Sequence, residues 1–267
     1  MTNQETIEMP LENGTATSLL KNDILIPLRN VTVGAMATND PRMAEIFKKW
    51  GIDFCCGGHK TLGEACAEAS VDQASVEHDL NHITQTPYRA DHKYSEWSLD
   101  FLADYVYNIH HQYVRINAQV IESLALKVAS RHGAQHPELN SLNDNIKSFL
   151  EDMLLHLEKE EQVVFPYIRT IVACKKNGTA LPSAISSIRS PIQVMEEEHQ
   201  IAGDELRFFR SLTNNYTLPF DACNSYKLLF DKMLAFEEDL FQHIHLENNI
   251  LFPKALELEK EVLNQLS

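Results

Sequence analysis

A ten-residue pattern occurs twice in this chain and constrains both fold and chemistry. One copy runs from His156 through Glu160 to Phe165, followed by Pro166; the other runs from His243 through Glu247 to Phe252, followed by Pro253. Each reads His-x3-Glu-x4-Phe-Pro. On a helix, a spacing of four places the His and the Glu on one face, one turn apart. Ile146, Phe149, Met153, Val163 and Tyr167 continue the first face, and Leu229, Met233, Phe236, Leu240 and Ile250 continue the second. Steps of three and four mark the inner seam of a helix bundle. Both Glu therefore sit inside apolar stripes, where an unpaired carboxylate costs several kcal/mol. A helical His–Glu pair is ordinarily a surface feature, and a buried pair without metal is the alternative here. Two such pairs at matching places need a common partner, and a cation is the simplest.

The rest of the chain supplies a frame for these two helices. Residues 1–29 are polar and aperiodic and are expected to form a mobile extension. Residues 30–86 form a compact helical unit, with helices over 41–50 and near 61–69 and 73–84 around a Cys-Cys-Gly-Gly turn. Residues 87–97 read as a linker. From residue 98 to 267 the pattern is helical. Ser98 is the N-cap of a helix reaching about Arg131, and His132-Gly133 breaks it. A second helix starts near Pro137. A third opens on a capping box, Ser190-Pro191 with Gln193, and a fourth starts near Pro219. Four long helices with short connections predict an up-down-up-down bundle. Pro166 and Pro253 each remove a backbone bond and are expected to kink their helices just past the His–Glu pairs.

The third helix carries His199 on its seam, within Ile192, Met195, Ala202, Leu206 and Phe209. Glu198 beside it borders the same site. The first helix must supply the remainder from His110-His111. The stripe Leu102, Val106, Ile109, Tyr113, Ile116, Val120 lies nearer His110. Four His and two Glu suit two metal ions bridged by carboxylates. Such donors fit iron or manganese better than copper(I), which prefers sulfur. Structural zinc takes four ligands, often with Cys.

Bulk properties narrow the partners. With 38 acidic against 23 basic residues the formal charge is −15, which argues against nucleic acid and anionic membranes. No apolar run approaches the roughly 18 residues of a membrane span. Residues 1–10 lack the basic and apolar regions of a signal peptide. Five scattered Cys form no disulfide framework, so a soluble cytoplasmic protein with reduced thiols is expected. The adjacent Cys55 and Cys56 make a strained disulfide at best. Gly57-Gly58 lets the backbone turn sharply there, and a following helix N-terminus lowers a thiol pKa. The pair reads as a reactive or metal-contacting dithiol. A zinc site of Cys55, Cys56, His59 and Cys66 lacks paired spacing.

The ligand order, joined to Gly51-Ile52-Asp53-Phe54-Cys55-Cys56-Gly57-Gly58, resembles the iron–sulfur cluster repair di-iron proteins. In that family a small Cys-Cys-Gly-Gly domain precedes a hemerythrin-like four-helix bundle. The resemblance implies an all-α fold and a non-haem di-iron centre bridged by two Glu, held by His111, His156, Glu160, His199, His243 and Glu247. It selects His111 because the family's first-helix ligand lies four residues before an Arg, here Arg115. A π-bulge is the device that rotates a helix by one residue at such a site. Family acidic residues beside the centre match Glu198 and Asp152, the latter one methylene shorter. The function implied is repair of clusters damaged by nitrosative or oxidative stress, by supply of iron, with Cys55 and Cys56 contacting the damaged client or receiving a diatomic ligand. A repair or iron-donor protein is expected rather than a turnover enzyme. Damaged iron–sulfur proteins are the implied partners and nitric oxide or oxygen the small ligands, and a homodimer is compatible. The alternatives are a nitric oxide or oxygen sensor, an iron store, or a di-iron nitric oxide reductase.

Overall fold

Apolar residues at helical spacing build two helical units whose packing brings the paired motifs together. The computed structural model describes residues 18–21, 24–27, 31–84, 92–182 and 187–264. Within the expected extension, the described backbone forms an antiparallel hairpin rather than unstructured chain: β1 (Ser18–Lys21) pairs with β2 (Ile24–Pro27). The rest of residues 1–29 lies outside the described residues.

The first unit holds α1 (Val33–Asn39), α2 (Pro41–Lys49), α3 (Leu62–Glu68) and α4 (Gln73–Thr84). The last three lie where the pattern predicts them. α1 was not expected; its Gly34, Thr38 and Asn39 are weak helix formers, and Thr32 caps it through Ala35 N–H. Asp40 caps α2, with Pro41 in its first turn. Thr61 and Glu64 form a reciprocal capping box on α3. Val33, Met36, Met43, Phe47, Phe54, Leu62, Val76 and Leu80 make the unit's core.

Four long helical rods make the bundle. The first is α5 (Leu99–Tyr105), a π-turn (Val106–His111) and α6 (Gln112–His132). The second is α7 (Glu138–Lys159), a π-turn (Glu160–Val164) and α8 (Phe165–Asn177). The third is α9 (Arg189–Leu212) alone. The fourth is α10 (Asn224–Leu246), a π-turn (Glu247–Leu251) and α11 (Phe252–Asn264). α6 packs on α7 and α10, and α7 on α9. Two apolar clusters fill the bundle, one with Val114, Phe149, Leu206 and Phe236, the other with Val106, Phe165, Met195 and Phe252. The paired motifs fall between them.

Three sequence expectations change here for physical reasons. The stripe read on the first helix does not continue past Val106: Ile109, Ile116 and Val120 are 48%, 67% and 40% exposed. The π-turn inserts one extra residue, about 100° of rotation, so Val114, Ala118, Ile121 and Ala125 face inward instead. The expected proline kinks take the form of π-turns that precede the prolines. Phe165 N–H donates to Glu160 O and Phe252 N–H to Glu247 O. Pro166 then falls in the first turn of α8 and Pro253 in that of α11, where a missing N–H costs little. The capping box expected at Ser190 is absent because α9 starts two residues earlier, with Ile188 as its N-cap. Its first turn is held by Glu259 of α11, whose carboxylate accepts from Ile188 N–H at 2.9 Å and from the Ser187 and Tyr167 hydroxyls.

The fourth rod starts at Asn224, later than Pro219 suggests, after a turn with Asn214, Asn215 and Tyr216 in the left-handed region. Residues 87–91 of the expected linker lie outside the described residues. Its end does not dangle: Tyr94 and Trp97 pack on Tyr105, and Lys254 Nζ donates to the carbonyls of Ser95 and Trp97. No helix of the described residues is long and apolar enough to cross a membrane.

The two units meet at the Cys-Cys-Gly-Gly turn. Asn249 of the third π-turn donates to Phe54 O at 3.2 Å and Cys55 O at 3.3 Å. A Cβ added to Gly34 or Gly58 would lie 2.1 or 2.2 Å from Asn249 Oδ1. The absence of side chains at both positions is what lets the asparagine wedge in. Gly58→Ala should therefore lower stability by about 1–3 kcal/mol, as overpacking does, read as a fall in Tm. Gly63→Ala, which faces only the flexible end of Gln73, should not lower it.

Candidate metal centre

All six side chains singled out by the repeat and by the resemblance converge in the bundle. His111, Glu160, His243 and Glu247 form one group of close donor atoms, and His156, Glu160, His199 and Glu247 form a second. Both Glu belong to both groups. Glu160 turns Oε1 toward His156 Nε2 at 3.6 Å and Oε2 toward His111 Nε2 at 3.3 Å. Glu247 Oε2 lies 3.3 Å from His199 Nε2 and 3.1 Å from His243 Nε2. Both carboxylates thus stand between two sets of imidazole nitrogens.

The donors are buried and lack partners of their own. All six residues are at most 2% exposed. Both oxygens of Glu160, both oxygens of Glu247, and Nε2 of His111 and His243 have no hydrogen-bond partner among the described atoms. Buried polar groups are otherwise almost always paired. The imidazoles carry the same message. His156 Nδ1–H donates to Glu198 at 2.9 Å and His199 Nδ1–H to Asn248 at 2.8 Å. In the neutral tautomers this leaves two Nε2 lone pairs facing each other across 3.0 Å, which repel unless a cation or proton lies between. The donor set fits a metal.

Protons alone serve these groups unevenly. Burial, then the charge of Glu247, pushes the Glu160 carboxyl up. Burial also opposes the charge on Glu247, but His243 and His199 overcome it and hold that carboxyl low. Burial drives His243 down to about 3. On His199 burial acts the same way, yet Glu247 outweighs it and raises the imidazole to about 9.

The two copies of the motif are used in the same way. The residue after each Glu holds a His from another rod: Glu161 accepts from His111 Nδ1–H at 2.8 Å, and Asn248 accepts from His199 Nδ1–H. The Phe of each motif stacks on that same ring, Phe165 on His111 at 5.3 Å and Phe252 on His199 at 6.1 Å. In both copies the π-turn starts at the Glu. The wide turn lets the following residue, Glu161 or Asn248, reach the centre as well.

Several placements differ from what spacing suggests. His110 is buried but stands outside both donor groups. Its Nδ1 lies 3.0 Å from Asp239 and its ring stacks on His243 at 5.6 Å. Glu198 also lies outside the donor groups. It fixes the ring of His156 and pairs with Lys159, and the His156 hydrogen bond holds its carboxyl at about 2. Asp152 lines a groove of about 210 Å³ that runs past Glu198 and Lys159 to His156. Sequence reading missed Glu161 and Asn248; their position directly after each repeated Glu was the available signal. The Cys-Cys-Gly-Gly turn, more than 140 residues from His199 in sequence, packs against it. Cys55 is 3% exposed and joins the bundle's core. Cys56 Sγ donates to His199 O at 3.2 Å, and Asn248 Nδ2 lies 3.5 Å from Cys55 O.

Outer hydrogen bonds to ligating His are typically worth 10–100-fold in metal affinity. Glu161→Ala and Asn248→Ala should each weaken metal binding by about that factor, measured by anaerobic titration. His111→Ala should abolish half or more of the bound metal and His110→Ala should not; the reverse pattern would reassign the first-rod ligand.

Two family models match separate parts of the chain. Residues 29–84 match a domain of unknown function (DUF542), and residues 103–255 match the hemerythrin HHE cation binding domain. The chain is 33% identical over 228 residues to the iron–sulfur cluster repair protein YtfE of Yersinia pestis (strain Pestoides F), covering 85% of this chain and 97% of the relative. The same protein of Yersinia pseudotuberculosis serotype O:1b (strain IP 31758) is equally similar, with the same coverage. The bundle is thus a hemerythrin-type, cation-binding domain, and the chain belongs to the family of iron–sulfur cluster repair proteins that join a DUF542 domain to a hemerythrin HHE domain.

Proposed function

We propose that this protein holds two non-haem iron ions between Glu160 and Glu247 and uses them to restore iron–sulfur clusters damaged by nitrosative or oxidative stress. The observation that carries the reading is the sharing of two wholly buried, otherwise unpartnered carboxylates by two sets of His Nε2 donors. His111 and His243 serve one end and His156 and His199 the other. Nitrogen and carboxylate donors without thiolate favour iron or manganese. The name carried by the relatives, iron–sulfur cluster repair protein, favours iron.

Bound iron would supply redox chemistry and an exchangeable metal. The chain's own residues hold, orient and shield it. Glu161, Glu198 and Asn248 keep the Nε2 atoms of three His unprotonated and aimed inward. Val106, Phe165, Met195 and Phe252 exclude water on one side. Acidic Asp152, Glu198 and Glu205 line the groove that reaches His156, a path suited to a cation entering or leaving. Damaged iron–sulfur proteins are the clients, nitric oxide and oxygen the small ligands, and the cytoplasm the setting, where five unpaired thiols stay reduced. A plain sensor or store is the less favoured reading, because neither needs the dithiol turn seated on His199.

Protein purified without oxygen should contain two irons per chain and reactivate a nitric oxide-damaged cluster enzyme. Glu160→Ala and Glu247→Ala should lose the iron and the activity, while Glu158→Ala, on the exposed face, keeps both. One zinc and no iron per chain, or equal iron in all three variants, would contradict the reading.

A further inference from the structure

The Cys-Cys turn carries a donor set of its own. Asp53 Oδ1 accepts from Cys55 N–H at 3.1 Å and Cys56 N–H at 2.9 Å, which folds both cysteines back over the carboxylate. Cys55 Sγ lies 3.3 Å from the same oxygen and 4.0 Å from Cys56 Sγ. The donor atoms of Asp53, Cys55 and Cys56 all lie within 4.8 Å of one another. Two thiolates about 2.3 Å from one tetrahedral ion stand ~3.8 Å apart, so the sulfurs are spaced for one ion. Arg207 holds the other side of the carboxylate, 3.6 Å from Oδ2, and leaves Oδ1 facing the sulfurs.

Access and surroundings suit a cation. A cavity of about 620 Å³ reaches Cys56 from solvent, lined by His59, Glu196, Glu197 and Gln200 among others. Its carboxylates attract positive charge. On the inner side Cys56 touches the backbone of His199, so the turn stands between this cavity and the bundle centre.

We infer that Asp53, Cys55 and Cys56 form a second cation site, for a thiophilic divalent ion, separate from the centre in the bundle. Loading replaces the two thiol protons, which leave to solvent, with one divalent ion; no electrons move. The zinc set considered from sequence, with Cys66, is not the one formed: Cys66 is 2% exposed within the core of the first unit, and Asp53 takes its place.

Cadmium is the probe, because its thiolate charge-transfer band in the ultraviolet reports on sulfur. None of the six bundle donors carries sulfur, so the result is independent of the proposed iron centre, whose content is measured on the same sample. The full-length, iron-loaded chain should bind one cadmium with a thiolate band and keep its iron. Cys56→Ser and Asp53→Asn should each weaken that binding by at least about tenfold, since even outer-shell changes do so. Asp53→Asn retains an oxygen for the two N–H groups and so preserves the turn. Cys223→Ser, at the exposed thiol, should change nothing. Absence of the band in the parent, its persistence in Cys56→Ser or Asp53→Asn, or its loss in Cys223→Ser would each overturn the site.

Discussion

Glu160 and Glu247 face the same buried space inside an apolar bundle, and much of the structure answers that arrangement. Two like charges at close range and 0% exposure are strongly unfavourable without positive charge between them. Of the four imidazoles, Glu247 favours charge on His199 while burial keeps His243 neutral, so protons offset the two carboxylates unevenly, whereas a cation satisfies carboxylates and imidazoles together. Along each rod these groups fall between two apolar clusters, which seal the centre above and below. Breaking a buried network by removing one partner typically leaves the other uncompensated at a cost of about 3–5 kcal/mol. The centre therefore contributes to the fold as well as to chemistry, and folding is expected to be linked to metal.

Geometry of this quality needs more than a regular helix offers. In an α-helix adjacent residues point about 100° apart, so a Glu and its neighbour cannot both reach one centre. The π-turns at Val106–His111, Glu160–Val164 and Glu247–Leu251 relax that limit. In the two repeats they bring Glu161 and Asn248 to the rings of His111 and His199, and the Phe of each motif covers the same ring. The repeat is thus a unit with three tasks: its His and Glu offer donor atoms, the next residue fixes a neighbour's tautomer, and its Phe shields that neighbour. Pro closes the unit because the widened turn places it at the start of the next helix.

Much of this was legible in the sequence. The stripes around His156 and His243 gave the bundle, the buried pairs and the need for a cation. What spacing misread is confined to places where another force outweighs helical period. The stripe at Ile109, Ile116 and Val120 is exposed because a π-turn shifts the register, and that same shift separates His111 from His110. Glu259 caps α9 from a residue more than 70 positions away, which no local motif reveals. The largest departure concerns the dithiol. The sequence puts the dithiol in a separate helical unit joined through a linker and carries no sign that Cys55 lies in the bundle's core or that Cys56 touches the backbone of His199. Gly34, Gly58 and Asn249 make that docking close, a contact between residues about 190 to 215 apart in sequence. The first unit is consequently part of the surroundings of the candidate metal centre, and its turn touches a proposed ligand.

The central claim is that two iron ions share the carboxylates of Glu160 and Glu247 with only nitrogen and oxygen around them. X-ray absorption at the iron edge, on the full chain loaded anaerobically, tests it most directly. The account predicts a first shell of nitrogen and oxygen scatterers, an iron–iron shell, and loss of that iron–iron shell in Glu160→Ala and Glu247→Ala. An isolated iron with no iron neighbour, or sulfur in the first shell of the parent protein, would contradict it.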